Sequence, residues 1–271
     1  MKKKNLVIAL AVATIAISFT ACKKTSGDAE TATLASQSSI SDNLTEDANN
    51  VFTQTVNNDT TGTLGAARPA PYYNATVTIS PAVGFPKTIT INFGSGTTSQ
   101  DLIYRTGEIQ VVLSDSFRLN GTTATLSFLN NYTVDGYAKT GTITWTNQSV
   151  GDTLKWTRVD SGTVTAPDGS YWHHSGQRVV VQTAGFGDNN LLDNVYSITG
   201  NHTIVNSEGI TGTSIILIPL EKKADCFFID AGQIRINGPK HYAVIDFGNG
   251  TCDDNATFAL DGGTVYGFRL W

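Results

Sequence analysis

The most chemically varied run of the sequence is IDFGNGTCDDNA, residues 245–256, which combines aspartates, amides, glycines and a cysteine. Two segments rich in Asp and Asn, residues 253–255 and 188–193, could supply several oxygen ligands to calcium. Neither segment has the D-x-[DN]-x-[DN]-G spacing of a calcium loop. Asp and Asn side chains also cap backbone groups in tight turns. The sequence therefore favours a turn at residues 245–256 and predicts neither a metal site nor a cofactor.

Nucleophilic catalysis requires a serine or cysteine beside a positioned histidine. The histidines are His173, His174, His202 and His241, and neither G-x-S-x-G nor H-E-x-x-H occurs. Adjacent residues of a strand point to opposite faces, so His173 and His174 cannot bind one metal together. Glycoside hydrolysis requires two carboxylates at a set separation, whereas the aspartates lie mostly in turn-like sequences. We predict a protein without catalytic activity, and a glycoside hydrolase is the alternative.

The run SYWHHSGQR, residues 170–178, places Tyr171, Trp172, His173 and Arg178 next to turn residues. Aromatic rings beside hydrogen-bonding side chains are typical of small-molecule and carbohydrate contacts. These four residues are therefore the candidate ligand contacts. Strand alternation sends Trp172 to one face and Tyr171 to the other, and aromatic residues in sheets usually pack. A role in the core is the competing interpretation.

The N-terminus has the pattern of an export signal. Three lysines at positions 2–4 precede LVIALAVATIAISF, residues 6–19, which is shorter than the ~20 apolar residues that span a bilayer. The run then ends in Phe19-Thr20-Ala21-Cys22, which resembles the lipobox of bacterial lipoproteins. That resemblance implies a signal peptide at residues 1–21 and a lipid on Cys22. An ordinary signal peptide that is cut near a chance cysteine is the alternative.

The charge of the chain limits its partners. Removal of the signal peptide takes away three lysines and changes the formal net charge from −5 to −8. An acidic chain without a Lys/Arg cluster argues against nucleic-acid binding and against electrostatic adhesion to anionic lipid. The predicted partners are the membrane, through the lipid anchor, and carbohydrate if residues 171–178 contact a ligand.

The remaining cysteines form a pair. With Cys22 occupied by lipid, Cys226 and Cys252 are left in a compartment where disulfides persist. Cys226 opens the apolar run CFFI, and Cys252 follows the strand-like run HYAVIDFG. We predict a disulfide between them, provided that the two segments are neighbours. Two free thiols, or a metal pair with His241, are the alternatives.

Between Cys22 and the β region, residues 22–71 are predicted to be a lipidated polar tether. Residues 23–40 are mostly Ser, Thr and Ala with scattered charge, a composition that does not bury a core. Leu44, Ala48, Val51 and Phe52 then recur at helical spacing, which predicts a short helix at residues 41–56.

From residue 72 onward the sequence alternates between strand and turn. The runs 75–80, 88–93, 108–113 and 140–147 place apolar residues at every second position, the pattern of a sheet with one dry face. The runs 179–181 and 215–218 are apolar without alternation, as in strands covered on both faces. We predict an all-β fold of antiparallel sheets, sandwich-like or in two β lobes, with halves at residues 72–148 and 149–271.

Two sequence patterns recur within the β region. INFGSGTT (91–98) matches IDFGNGTC (245–252), and YTVDG with TGTIT (132–144) matches YSITG with TGTSI (196–215). Chance similarity among turn-rich strands is the alternative to a true repeat.

The second copy of the first pattern carries a D-[F/Y]-G-x-G-x-C-like turn at Asp246, Phe247, Gly248, Gly250 and Cys252. With the lipobox, the tether and the short helix, it resembles uncharacterised outer-membrane lipoproteins of Bacteroidota. The resemblance implies an outer-membrane location on the periplasmic or the cell-surface side, and it implies no activity. We expect a lipid-anchored envelope protein that acts as a non-catalytic structural or binding module. A glycan-binding or glycan-active surface protein is the alternative.

Overall fold

The computed structural model describes residues 26–57, 68–70, 73–186 and 193–270, so the predicted signal peptide and Cys22 lie outside the described residues. These described residues form one helix followed by 14 strands. The elements are α1 (Ser26–Asn57), β1 (Arg68–Ala70), β2 (Ala75–Ser80), β3 (Lys87–Thr98), β4 (Tyr104–Leu113), β5 (Thr123–Val134), β6 (Tyr137–Asn147), β7 (Lys155–Thr165), β8 (Tyr171–Ala184), β9 (Val195–Asn206), β10 (Thr211–Lys223), β11 (Ala231–Asn237), β12 (Tyr242–Asn249), β13 (Asn255–Leu260) and β14 (Val265–Arg269).

The strands form a single antiparallel sheet in which each strand pairs with the next one in sequence. The predicted antiparallel all-β fold is therefore confirmed. The sheet is continuous across the boundary expected at residue 148, because β6 pairs with β7 from Ala138 opposite Thr165 to Asn147 opposite Trp156. A second sheet or lobe is not needed to cover the apolar face, since α1 covers it.

The sheet curves around α1. Apolar residues such as Leu44 and Phe52 and polar residues such as Ser38, Asn43 and Asp47 are all buried, although they point to different sides of the helix. Asp47 of α1 pairs with Arg105 of β4, and other residues of α1 lie close to β13 at the far side of the sheet. Within the described ranges, no helix combines the length and the apolar character needed to span a membrane.

This position of α1 corrects the prediction of a tether for residues 26–57, while residues 22–25, 58–67 and 71 of that predicted segment lie outside the described residues. Residues 26–57 form a helix of 32 residues, and the helix predicted at residues 41–56 is its second half. The polar composition suggested exposure, but the side chains find partners inside the protein. Thr55 Oγ1 donates to Val51 O (2.7 Å) and Asn43 Nδ2 donates to Ser39 O (2.9 Å) within the helix. Burial of polar groups is tolerated when they are hydrogen-bonded in this way.

Inward-facing glycines let the strands bend towards the helix. Gly141 of β6 lies opposite Gly162 of β7. A Cβ atom at Gly141 would lie 2.1 Å from the carbonyl oxygen of Ser161, and one at Gly162 would lie 2.1 Å from that of Thr140. Gly141 also has a φ of 101°, which disfavours other residues. The two strands approach and bend here because neither carries a side chain at this position.

The two ends of the sheet are distinguished by α1. Near the start of the helix, the Asp28 carboxylate lies 3.6 Å from Nε2 of His241, in the turn between β11 and β12. Near its end, Gln54 Nε2 donates to the carbonyl oxygen of Ala224 (3.0 Å), between β10 and β11. In an antiparallel order, turns that follow odd-numbered strands lie at one end and those that follow even-numbered strands lie at the other. We call these the helix-start end and the helix-finish end.

Candidate functional site

A set of buried charged side chains lies between α1 and the sheet. Three carboxylates at helical spacing each meet an arginine on a different strand, with N–O distances of 2.5, 2.6 and 2.8 Å. The pairs are Asp47 with Arg105 (β4), Glu46 with Arg158 (β7) and Asp42 with Arg178 (β8). All six side chains are nearly fully buried. We call this set the helix–sheet ion pairs.

The electrostatics of these pairs favour the charged forms. Burial alone would raise the pKa of Asp42, but the neighbouring Arg178 and His202 outweigh it and hold that pKa well below its usual range. Burial alone would lower the pKa of Arg105, but the facing Asp47 outweighs it and raises that pKa. Because each partner would be costly to bury alone, the pairs fix the rotation and the depth of the helix in the sheet.

The histidine of β9 extends this network. Arg178 Nη2 donates to Nδ1 of His202 (2.5 Å), and Nε2 of His202 lies 2.9 Å from Oγ of Ser38. His202 therefore links the Asp42–Arg178 pair to Ser38 on the preceding turn of α1. Within the described part of the chain, Asp42 Oδ2 and Arg178 Nη1 have no hydrogen-bond partner.

A second buried group resembles a proton relay. Nδ1 of His174 lies 2.8 Å from Oδ2 of Asp160, and its Nε2 lies 3.1 Å from Nζ of Lys139. Lys139 Nζ also donates to Oγ1 of Thr45 on α1 (3.1 Å). Burial and the nearby Lys139 ammonium lower the pKa of His174 to about 4, against the opposing effect of Asp160. Burial likewise lowers the pKa of Lys139 to about 8.

At neutral pH these values leave His174 neutral and Lys139 charged. The imidazole then donates from Nδ1 to Asp160 and accepts at Nε2 from Lys139. All three side chains are almost fully buried, and of the three only His174 lines a surface groove, the one over β6 to β9. The group ties β6, β7 and β8 to α1.

The four predicted ligand contacts divide between the two faces of β8. Trp172 is 2% exposed and Arg178 is 1% exposed, and both point inward. The Trp172 Nε1–H donates to Oγ of Ser41 on α1 (2.8 Å). Tyr171, which is 42% exposed, and His173 lie on the outer face with their ring centroids 5.8 Å apart. Trp172 and Arg178 thus have the core role, and only the outer pair can meet a ligand.

The outer pair lies beside a groove of about 430 Å³ across β6 to β9. The lining includes Thr140, Ser161, Thr163, His173, Ser175 and Thr203. Nδ1 of His173 lies 2.8 Å from Oγ1 of Thr163, which orients the imidazole. A second groove of about 760 Å³ lies over β12 to β14 and is lined by residues 246–249, Thr251, Asp253 and Asn255 among others. We call the two the hydroxyl groove and the turn groove.

The run at residues 245–256 forms a turn next to a disulfide. Cys226, before β11, and Cys252, after β12, are joined with a Cα–Cα distance of 5.6 Å, as predicted. The pairing of β11 with β12 brings both cysteines to the helix-finish end. Asp246 Oδ1 accepts from Gly248 N (2.9 Å), and Asp253 Oδ1 accepts from Asn255 N (2.8 Å). These aspartates cap backbone amides, which agrees with the predicted turn. Among the described residues, no group of three His, Cys, Asp or Glu side chains is arranged to hold a metal ion.

The helix–sheet ion pairs were not predicted from the sequence. The strand pattern does indicate them. Arg158 lies two residues after the inward-facing Trp156, and Arg178 lies an even number of residues from the inward-facing Trp172 and Val180. Alternation along a strand therefore places both arginines on the inner face. An arginine in phase with core residues requires a buried acid.

Comparison with known proteins gave no match: no family model, no curated protein and no solved structure is similar to this chain. The arrangement of the side chains is therefore the basis for the functional conclusion. It brings charged groups together inside the sheet, where they hold the helix, and it leaves hydroxyl groups, Tyr171 and His173 on the outer face.

Proposed function

We propose that this chain is a lipid-anchored cell-envelope protein that acts as a non-catalytic structural or binding module. The observation that supports it best is the burial of the helix–sheet ion pairs and of the Asp160–His174–Lys139 group. The side chains best suited to acid–base chemistry are thereby engaged in holding α1. The outer face is left for binding.

The anchor would sit close to the folded protein. Only residues 23–25 separate Cys22 from the first helical residue, Ser26. Four Cα–Cα steps reach at most ~14 Å, at about 3.5 Å each. Lipid on Cys22 would therefore hold the helix-start end near the membrane surface, in the outer membrane if the resemblance to Bacteroidota lipoproteins applies.

Labelling of living cells with an alkyne fatty acid tests the anchor. We expect label and membrane fractionation for the wild-type protein and the loss of both for Cys22→Ala. Cys226→Ala is the matched control, because it removes a cysteine that lies in the folded domain and should keep the label. Equal label on the wild-type and Cys22→Ala proteins would contradict the proposal.

Carbohydrate binding is the second candidate, and one observation favours it. The hydroxyl groove combines hydroxyl side chains, an oriented imidazole and a neighbouring exposed tyrosine ring. This arrangement suits recognition of a sugar rather than cleavage of a glycosidic bond, which would require a pair of carboxylates.

A further inference from the structure

We propose that the hydroxyl groove is a binding site for a neutral glycan. A pyranose ring would lie against Tyr171, and its hydroxyl groups would bond to His173 and to the serine and threonine side chains of the groove. This inference rests on the proposed function as a binding module, and it adds the site and the chemical class of the ligand.

The shape of the groove follows from the register of four strands. Ser161 of β7 lies opposite Ser175 of β8, and Ser175 lies opposite Thr203 of β9. These outward positions carry small side chains, while Tyr171 and His173 stand beside them on the same face of β8. Small residues flanked by larger rings leave a hollow. Its volume of about 430 Å³ is within the range of roughly 300–1,000 Å³ that is typical of small-molecule sites.

The polar groups of the groove match the hydroxyl groups of a sugar. Each serine or threonine hydroxyl can donate one hydrogen bond and accept others, as a sugar hydroxyl does. Because Oγ1 of Thr163 engages Nδ1 of His173, Nε2 on the other side of the ring is directed away from Thr163. That nitrogen is placed to bond to a ligand.

The charge of the groove selects a neutral ligand. Its lining residues include no Asp, Glu, Lys or Arg. A phosphate or sulfate group would find no cation there, and an amine would find no carboxylate. Tyr171 supplies an apolar ring face with a polar hydroxyl at its edge, which suits the mixed surface of a pyranose.

The groove is held rigid by the sheet beneath it. The ladder between β6 and β7, and that between β7 and β8, run without a register shift. The Asp160–His174–Lys139 group fixes the same strands from the inside. A site built on regular strands loses little conformational entropy when a ligand binds.

Affinity electrophoresis of the purified full-length exported protein in detergent, against neutral and charged polysaccharides, tests the proposal. We expect retention by at least one neutral polysaccharide. Ser161→Trp, which fills the groove, and Tyr171→Ala, which removes the ring, should each weaken binding about tenfold or more, as the loss of ~1.4 kcal/mol would.

Two variants at exposed positions of β14, away from the hydroxyl groove, serve as matched controls. Gly267→Trp places the same large ring in the turn groove, where a Cβ atom meets nothing within 4 Å. Tyr266→Ala removes another exposed tyrosine. Both should bind within about twofold of the wild-type protein, a change of only ~0.4 kcal/mol. Thermal melting of each variant shows whether it is folded, and Tyr171→Ala tests the site if Ser161→Trp is not.

Several results would overturn the inference. These are no retention by any neutral polysaccharide, retention by charged polysaccharides alone, or an equal loss in the control variants. Each would leave the lipid-anchored module intact if Cys22 still carried lipid and the protein still fractionated with membranes. Loss of the lipid label together with normal glycan retention would instead contradict the anchor and keep the site.

Discussion

At the scale of single residues, the buried ion pairs control whether α1 can occupy the sheet. Arg178→Met is expected to destabilise the protein by about 3–5 kcal/mol, because Asp42 would stay buried without its main partner. The measurement is the free energy of unfolding in urea. Arg269→Met is the matched control, since Arg269 is 64% exposed and pairs with Asp254 at the surface. Its loss should stay below about 1 kcal/mol. Similar losses for the two variants would show that the helix–sheet ion pairs do not hold the helix.

The buried histidine of β8 should make stability depend on pH. The pKa of His174 is about 4 in the folded protein, against an ordinary value of 6.5. As the pH falls below 6.5, the unfolded chain binds a proton that the folded protein does not, so the free energy of unfolding decreases until the pH reaches about 4. At pH 5 the loss should be about 2 kcal/mol relative to pH 7.5.

His174→Gln tests this assignment, because glutamine can still donate to Asp160 and accept from Lys139 but does not titrate. The variant should lose less stability than the wild-type protein between pH 7.5 and pH 5 in urea unfolding. Asp42 and Asp160 have pKa values below their usual range, so their contributions are lost at lower pH. An unchanged pH dependence in His174→Gln would assign the acid sensitivity to other groups.

At the scale of elements, the strands and the second half of α1 could be predicted from sequence, whereas the first half of α1 and its burial could not. Alternation along a strand is local, so the runs 75–80, 88–93 and 108–113 indicate both the strand and its inward face. The buried state of α1 depends on partners far along the chain. Asp47 lies 58 residues before Arg105, and Asp42 lies 136 residues before Arg178. The amino-acid composition of residues 23–40 therefore could not indicate that the helix is buried.

Some features of the candidate site could likewise be predicted from the sequence, and others could not. The opposite directions of Tyr171 and Trp172 follow from strand alternation, and the pairing of Cys226 with Cys252 follows from the small number of cysteines. The hydroxyl groove needs the register of β6 to β9, which places Ser161 beside Ser175. Register between neighbouring long strands is a tertiary property that spacing within one strand does not reveal.

Hydrogen exchange distinguishes a packed helix from a tether. We expect the amides of residues 44–52 to exchange as slowly as those of β8, at least a hundredfold slower than an isolated peptide, since this part of α1 is fully enclosed. A synthetic peptide of residues 26–57 is the control, because its polar sequence should not hold a helix in water. Exchange of residues 44–52 at the rate of the peptide would restore the interpretation of this segment as a tether.

At the scale of the whole molecule, the apolar inner face of the sheet must be covered, and α1 covers it. The helix is 32 residues long, and at 1.5 Å per residue it extends for about 48 Å. Strands of 10 to 14 residues in the middle of the sheet, β4 to β10, have a comparable length. The two ends of the sheet are therefore separated by most of the length of the helix. Cys22 is connected through residues 23–25 to the first residue of α1, which lies at the helix-start end.

This separation predicts the orientation of the protein on a membrane. If Cys22 carries lipid, Lys240 in the turn between β11 and β12 should lie near the bilayer, because a Cβ at Gly27 would lie 3.2 Å from its side chain. Val150, which is 75% exposed, lies in the turn between β6 and β7 at the helix-finish end. Fluorophores on Lys240→Cys and Val150→Cys, in lipidated protein on vesicles with quencher-labelled lipids, should be quenched strongly at position 240 and weakly at 150. Insertion of ten Gly/Ser residues before Ser26 is the control, since a flexible linker adds about 18 Å of reach and should reduce the difference. Equal quenching at both positions without the insertion would mean that the sheet lies flat on the membrane, and the short path from Cys22 to α1 would then not orient it.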